Sequence, residues 1–151
     1  MNILIVDDQI SVINGLMSSI NFRKLGYQRI LSAFDADEAL EIMARQSIDV
    51  LVSDIEMPGK DGLQLNAVVR EKYPGVLRIL LTSHAIFSYA QEGLKLGCFD
   101  YLVQPVPYGK IEESLAKAAV QIKMNERARE INSLGRFFES NRTQFLNTRS
   151  E

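Results

Sequence analysis

The sequence predicts an α/β protein in which five parallel strands alternate with five helices. Three observations support this fold class. Apolar runs of strand length recur along the chain, helical periodicity fills the intervals between them, and turn residues mark the joints. The first, third and fourth apolar runs are continuous, as in strands buried on both faces of a parallel sheet. We therefore predict a (βα)₅ domain.

The predicted strands cover residues 3–6, 29–34, 49–53, 76–82 and 100–103. The fifth is short and less apolar than the others, which suits the edge of a sheet. Apolar residues between the strands and after the last one recur every three or four positions, which predicts five helices. The residues that carry these five patterns are Ile10, Ile13, Leu16, Met17 and Ile20; Ala36, Ala39, Leu40 and Met43; Leu63, Leu65, Val68, Val69 and Tyr73; Ala90, Leu94 and Gly97; and Ile111, Leu115, Ala118, Ala119 and Ile122.

Turn residues predict where the helices begin and end. Gly26 is expected to close the first helix, Pro74-Gly75 the third and Gly97 the fourth. Asp61 stands just before the third helix and is predicted to be its N-cap. These signals agree with the alternation of strands and helices.

Three carboxylates are predicted to meet at one edge of the sheet. Asp7 and Asp8 end the first apolar run, and Asp54 ends the third. Open α/β sheets bind ligands at the carboxyl ends of their strands. Like charges held together shift their pKa values or recruit a cation, and Mg²⁺ is a hard ion that prefers oxygen ligands. We therefore predict a Mg²⁺ site at this edge.

The composition argues against several classes of protein. Lys and Arg number 17 and Asp and Glu 19, so the formal net charge is −2 and the domain lacks a basic footprint for nucleic acid. No apolar run approaches the roughly 18 residues of a membrane span, and no signal peptide precedes the first strand. Cys98 is the single cysteine, which fits a reducing cytoplasm. Walker A, GxGxxG, CxxC and HExxH motifs are absent, and we expect the chain not to be an enzyme.

Several motifs combine within residues 1–120. They are Asp7-Asp8, Asp54 followed by Met57-Pro58, Asp61-Gly62, Thr82 at the end of strand four, and Asp100-Tyr101-Leu102 followed by a proline. Together they resemble the receiver domain of two-component response regulators. The resemblance implies a doubly wound, flavodoxin-like sheet with strand order 2-1-3-4-5. The stretch from Phe87 to Val106 is further similar to regulators that carry an AraC-type helix-turn-helix effector.

The resemblance implies a role for each acid. Asp54 would be the phosphoacceptor, taking a phosphoryl group from a sensor histidine kinase to form an aspartyl-phosphate. Asp8 would bind Mg²⁺ directly, Asp7 would bind it through water, and the backbone carbonyl of Glu56 would be a further ligand. The metal would neutralise the charge that develops on the transferring oxygens.

The resemblance also implies how phosphorylation changes the surface. The Thr82 hydroxyl would hydrogen-bond the phosphoryl group, and Tyr101 would rotate inward behind it. The changed surface would comprise predicted helix four, strand five and predicted helix five. That surface, or the C-terminal helix, would mediate homodimerisation. DNA would be bound only through an effector domain outside this chain, and no membrane partner is expected.

One position departs from the family pattern. The family places a Lys immediately before the proline that follows strand five, and this chain has Gln104-Pro105. An amide donates a hydrogen bond but carries no charge, so the empty site is expected to be more negative than usual. Lys60 is considered as a compensating cation and His84 as a residue that flanks the path of water. We expect a cis peptide bond at Gln104-Pro105.

Residues 121–151 differ in character from the first 120. Helical periodicity continues beyond residue 120, and an incomplete apolar stripe is carried by Met124, Ala128, Ile131, Leu134 and Phe138. Such a stripe predicts a two-helix contact, and a linker is the alternative. No helix stop signal follows Arg149, so we expect the natural protein to continue into an effector domain.

Two functional hypotheses therefore compete. The first is a phosphorylation-controlled switch, which the acid pair, Asp54 and Thr82 favour. The second is a pseudo-receiver that acts constitutively in dimerisation or protein docking, which only Gln104 favours. A Mg²⁺-dependent phosphatase is a poor third hypothesis. Glu56 stands at the position of its second acid, but no cap domain or substrate pocket is evident.

Overall fold

The computed structural model describes residues 1–57, 59–82 and 96–149 of the chain. The predicted fourth helix, with Ala90 and Leu94, lies outside these residues, as does His84. The described strands are β1 (Asn2–Val6), β2 (Arg29–Ala33), β3 (Val50–Ser53), β4 (Leu77–Thr82) and β5 (Asp100–Val103). The described helices are α1 (Ile10–Ser19), α2 (Ala36–Arg45), α3 (Gly62–Lys72) and α4 (Tyr108–Arg149), the last being the predicted fifth helix.

The five strands form one parallel sheet in the order β2-β1-β3-β4-β5. This order confirms the predicted doubly wound, flavodoxin-like fold, and it places β5 at an edge as expected. The order in which the strands are added to the sheet reverses between β1 and β3, because β2 lies on one side of β1 and the later strands lie on the other. The carboxyl ends of these two neighbouring strands therefore flank the point at which open α/β sheets bind ligands.

The central strands are buried along almost their whole length. Every residue of β3 is buried, and only the first residues of β1 and β4 are partly exposed. On one face of the sheet, a single apolar cluster joins strands β1 and β3 to helices α2 and α3. Its members include Leu4, Val6, Leu51, Ala36, Ala39, Met43, Leu65 and Val69. Burial on this scale stabilises the sheet that carries the acidic residues.

The first helix differs from its prediction. It ends at Ser19, and the backbone N–H of Ile20 donates to the carbonyl of Leu16. The prediction that Gly26 closes this helix is wrong, because Gly26 lies in a later turn, where its φ of 104° suits glycine. Ile10 and Met17 are also exposed, although the apolar pattern included them.

The start of α3 agrees with its prediction. The Asp61 carboxylate accepts the backbone N–H of Gln64 at 2.8 Å, and the Gln64 side chain accepts the N–H of Asp61 at 2.9 Å. This reciprocal pair is a capping box. It fixes the helix that follows the loop after Asp54.

The chain forms two compact units, Met1–Ala119 and Val120–Glu151. In the first unit, α4 is anchored by Tyr27, whose buried hydroxyl donates to the carbonyl of Leu115 at 2.7 Å. In the second unit, Met124, Ile131, Leu134 and Phe138 are exposed. The assignment of residues 121–151 as a segment leading to an effector stays a prediction. Among the described helices, none is both long and apolar enough to cross a membrane.

Candidate functional site

Three carboxylates meet at the carboxyl ends of β1 and β3. One carboxylate oxygen from each of Asp7, Asp8 and Asp54 lies within 4.8 Å of the other two. The strands themselves place these residues. The backbone N–H of Asp54 donates to the Val6 carbonyl at 3.0 Å, and that of Asp7 donates to the Ala33 carbonyl at 3.1 Å. The hydrogen-bond ladders of the sheet therefore continue into the acidic cluster.

The cluster is electrostatically unfavourable without a cation. The pKa of Asp7 is raised to about 6, mainly by burial and further by the charges of Asp54 and Asp8. A hydrogen bond from the Gln9 backbone N–H acts in the opposite direction. Burial also raises the pKa of Asp54, although the backbone N–H groups of Ile55 and Glu56 favour its charged form. The carboxylates must bind protons or a cation to relieve this repulsion.

The donor set of the cluster fits Mg²⁺. Carboxylate oxygens are hard ligands, and Mg²⁺ in proteins takes one or two carboxylates and completes its shell with water and phosphate oxygens. Asp7, Asp8 and Asp54 are the residues that would hold the ion. The side chain of Glu56 is exposed, and the proposed contribution of its backbone carbonyl stays a prediction.

Replacing Asp7 by Asn should stabilise the metal-free protein at neutral pH. The pKa of Asp7 is raised to about 6 in the folded state, whereas in the unfolded chain it is roughly 3.9. Above pH 6 the ionised Asp7 therefore lowers the free energy of unfolding. Asn removes this penalty and can still accept the Gln9 N–H, which bonds Asp7 at 2.8 Å.

The stabilisation should shrink as the pH falls from 6 towards 4, because Asp7 is then protonated in the folded state. The measurement is the free energy of unfolding in denaturant at pH 7 and pH 4, with chelator present. Glu41→Gln, on an exposed position of α2, is the control. An Asp7→Asn protein with the same advantage at both pH values would contradict the assigned pKa shift.

The other predicted site residues lie on the neighbouring strands. Thr82 ends β4 and is completely buried, and Tyr101 lies half-buried in β5, where burial raises the pKa of its hydroxyl. The backbone N–H of Gln104 donates to the carbonyl of Thr82. Thr82 and Gln104 therefore share one end of the sheet with the acidic cluster. The functional roles of these three residues stay predictions.

Gln104 also lines a groove of about 520 Å³. The remaining lining residues are Ser11, Val12, Leu16, Pro105, Val106, Tyr108 and Ile111. The Gln104-Pro105 peptide bond is cis, as expected from the sequence. Lys60, considered as a replacement for the family lysine, lies instead 3.9 Å from the exposed carboxylate of Asp37.

Sequence reasoning did not find two residues that shape the site, Asn66 and Arg78, and it named a third, Gly62, only within the Asp61-Gly62 motif. Gly62 packs so closely that a Cβ there would lie 1.9 Å from the carbonyl oxygen of Asp54. Asn66 is fully buried and bonds Ser53, the residue before Asp54, at 3.0 Å. Arg78 is a buried cation in β4. Asn66 interrupts the apolar pattern of α3 and Arg78 that of β4, and these two interruptions are the sequence signal that could have indicated them.

Comparison with known proteins extends these observations. Residues 3–116 match the family model of the response regulator receiver domain. The uncharacterized transcriptional regulatory protein YesN of Bacillus subtilis is 32% identical over 124 residues, which is 82% of this chain and 34% of YesN. The DNA-binding transcriptional regulator NtrC of Proteus hauseri is 34% identical over 116 residues, which is 76% of this chain and 23% of NtrC. The chain therefore spans about a third or less of these relatives.

Solved structures give the same result. The REC domain of AraT, a response regulator from Geobacillus stearothermophilus, matches with a TM-score of 0.77 and 35% identity, covering 83% of this chain and 97% of that one. A two component transcriptional regulator AraC from Clostridium phytofermentans matches with a TM-score of 0.77 and 27% identity, covering 85% and 98%. In both cases the match covers nearly the whole of the solved chain.

Proposed function

Because this chain belongs to the family of response regulator receiver domains, we propose that it is a phosphorylation-controlled switch. Asp54 accepts a phosphoryl group from a sensor histidine kinase in the cytoplasm, in a reaction that depends on Mg²⁺. The observation that carries this proposal is the acidic cluster, in which Asp54 lies within 4.8 Å of two further carboxylates. The chain belongs to a family of signalling domains, and this cluster supplies the chemistry.

The transfer step needs only a nucleophile, a leaving group and charge neutralisation. A carboxylate oxygen of Asp54 attacks phosphorus, the bond from phosphorus to the kinase imidazole nitrogen breaks, and that nitrogen keeps the electron pair and takes a proton from solvent. When bound, Mg²⁺ neutralises charge on the phosphoryl oxygens. The N–H groups of Ile55 and Glu56, which favour the charged form of Asp54, hold the nucleophile in place.

Thr82 and Tyr101 convert the new charge into a surface change. The Thr82 hydroxyl donates to a phosphoryl oxygen, which draws the end of β4 towards Asp54. Tyr101, on the adjacent strand, is only partly buried and moves inward behind Thr82. The local charge change then alters the surface that controls dimerisation or an effector.

Replacing Asp8 by Asn should weaken Mg²⁺ binding by roughly tenfold or more, since each lost tenfold is about 1.4 kcal/mol and a charged ligand becomes neutral. Isothermal titration calorimetry measures the affinity, and Glu41→Gln is the charge-matched control on an exposed helix position. Unchanged affinity in Asp8→Asn would remove this residue from the metal site.

The proposed function is tested by incubation with Mg²⁺ and a small phosphodonor. Intact mass is measured before and after, and a sample with chelator is the control. We expect the mass of one phosphoryl group to be gained only when Mg²⁺ is present. No gain under any condition would favour the constitutive docking module, for which Gln104 in place of the family lysine is the supporting observation.

The C-terminal unit is proposed to take part in homodimerisation. Its apolar stripe has the spacing of a two-stranded coiled coil, with positions seven residues apart at Met124, Ile131 and Phe138 and a further apolar residue, Leu134, between the last two. All four side chains are exposed. The other proposed dimer surface comprises β5, the start of α4 and the helix that the sequence predicts between β4 and β5. DNA binding is proposed to reside in an effector domain outside this chain, as the names of the relatives suggest.

Ile131→Lys should raise the dimer dissociation constant by roughly tenfold or more, because it places a charge in the apolar stripe. Ser133→Lys introduces the same charge at an exposed position outside the stripe and should leave association unchanged. Analytical ultracentrifugation of phosphorylated and unphosphorylated protein measures both. If the two variants associate equally well, the stripe is part of a linker and not of a dimer interface.

A further inference from the structure

Arg78 is a buried cation in β4, where every other residue before Thr82 is apolar. It is 7% exposed, and burial lowers its pKa, but a guanidinium stays charged in proteins. Its side chain donates to the carbonyl of Asn66 in α3 at 3.3 Å. On the other side it donates to the carbonyls of Leu96 at 2.6 Å and Gly97 at 3.0 Å. Arg78 therefore ties α3 to the turn that precedes β5.

The side chain of Asn66 continues this connection towards the acidic cluster. Its amide nitrogen donates to the hydroxyl of Ser53 at 3.0 Å and to the carbonyl of Gly62 at 2.7 Å. Ser53 directly precedes Asp54, and Gly62 packs against the Asp54 carbonyl. Asn66 thus holds both ends of the loop that begins with Asp54. We call Ser53, Asn66 and Arg78, with their hydrogen bonds, the polar bridge.

The polar bridge is not fully satisfied. Within the described part of the chain, the side-chain oxygen of Asn66 is buried and has no hydrogen-bond partner. A buried acceptor without a partner disfavours the arrangement that contains it. A shift of the bridge that gave this oxygen a partner would recover part of that cost.

We propose that the polar bridge transmits occupancy of Asp54 to the turn before β5. This inference rests on the proposed phosphorylation, and the route uses neither Thr82 nor Tyr101. A shift of the Asp54 loop moves Ser53 and Gly62 against the Asn66 amide.

Arg78 passes this shift to the turn. If its planar guanidinium lost the carbonyls of either α3 or the turn, a buried N–H donor would be left without an acceptor. The helix and the turn therefore move together. Asn66 and Arg78 are positioning residues, because they act on Asp54 through its neighbours.

The experiment measures deuterium exchange of the backbone amides of residues 96–103 in the full chain. Exchange is compared with and without Mg²⁺ and beryllofluoride, a stable mimic of a phosphoryl group. The variants are Arg78→Met and Asn66→Leu, which break the bridge at its two ends, and Thr82→Ala, which removes the other route. Lys72→Met loses the same charge as Arg78→Met at an exposed position of α3 and is the control.

Two independent routes should contribute additively, so Arg78→Met and Asn66→Leu should each reduce the change in exchange without abolishing it. Thr82→Ala should keep part of the change, and combining it with Arg78→Met should abolish the change. Phosphoryl mass should still be gained by both bridge variants. If Arg78→Met fails to fold, Asn66→Leu decides the result from the other end.

The inference is overturned if both bridge variants respond as the parent does, or if Thr82→Ala alone abolishes the response. It is also overturned if the parent gains phosphoryl mass but shows no change in residues 96–103. A parent that gains no phosphoryl mass refutes the proposed function itself. The mass measurement therefore separates the two failures.

Discussion

An Asp54→Asn protein is expected to gain no phosphoryl mass under conditions in which the parent is phosphorylated. The amide replaces the attacking carboxylate oxygen, and the neutral amide is a poor nucleophile towards phosphorus. The other two acids of the cluster, Asp7 and Asp8, remain, so the substitution removes the nucleophile and only one of the three carboxylates that would hold the metal. The loss should be complete in intact-mass spectra, which makes this the largest effect that the site predicts.

The matched control is Glu56→Gln, which removes the nearest acid along the chain after Asp54 and leaves the nucleophile in place. Because the Glu56 side chain is exposed, this variant should still gain the phosphoryl group. Peptide mapping of the parent should locate the modification at Asp54. A phosphoryl mass on Asp54→Asn would move the acceptor to another residue and refute the assignment.

Gln104→Lys should extend the lifetime of the phosphorylated state or strengthen its effect on association. An ammonium about 4 Å from a phosphoryl oxygen gains roughly 4 kcal/mol at an effective dielectric constant of 20. A hydrogen bond from the native amide to a charged acceptor gives about 1.5–3 kcal/mol. The difference of about 1–2.5 kcal/mol corresponds to roughly fivefold to seventyfold in an equilibrium or rate.

The same substitution should also change the empty site. A positive charge beside the cluster should lower the raised pKa values of Asp7 and Asp54 and weaken Mg²⁺ binding by competition. Phosphorylation rate, phosphoryl half-life and association state are compared for the parent and the variant. Lys60→Gln is the control, because Lys60 faces Asp37 and its loss should leave the half-life unchanged. A parent that matches Gln104→Lys in all three measurements would show that Gln104 is a tolerated residue.

The fold and the acidic cluster could be predicted because their signals are local in sequence. Continuous apolar runs mark β1, β3 and β4, and the acids stand directly after two of these runs. The sheet order then follows from the resemblance and is confirmed. The cap formed by Asp61 could be predicted for the same reason, since a capping residue contacts its own helix.

The residues that sequence reasoning missed depend on contacts distant along the chain. Asn66, in α3, is buried where Ser53 at the end of β3 accepts its amide N–H. Arg78 is buried where carbonyls of α3 and of the turn before β5 accept its guanidinium. A single sequence does not indicate such partners. The predicted end of α1 at Gly26 is wrong because turn residues mark loops as readily as helix ends.

The close packing of Gly62 limits how the chain can change during evolution. A side chain at this position would displace the backbone of the proposed phosphoacceptor, because its Cβ would lie 1.9 Å from the Asp54 carbonyl oxygen. Gly75 has no neighbouring atom within 4 Å of the place where a Cβ would lie. A side chain at Gly75 therefore meets no close neighbour, whereas a side chain at Gly62 disturbs both the fold and the backbone of Asp54. Two glycines that look alike in the sequence therefore differ in the substitutions that the fold can accept.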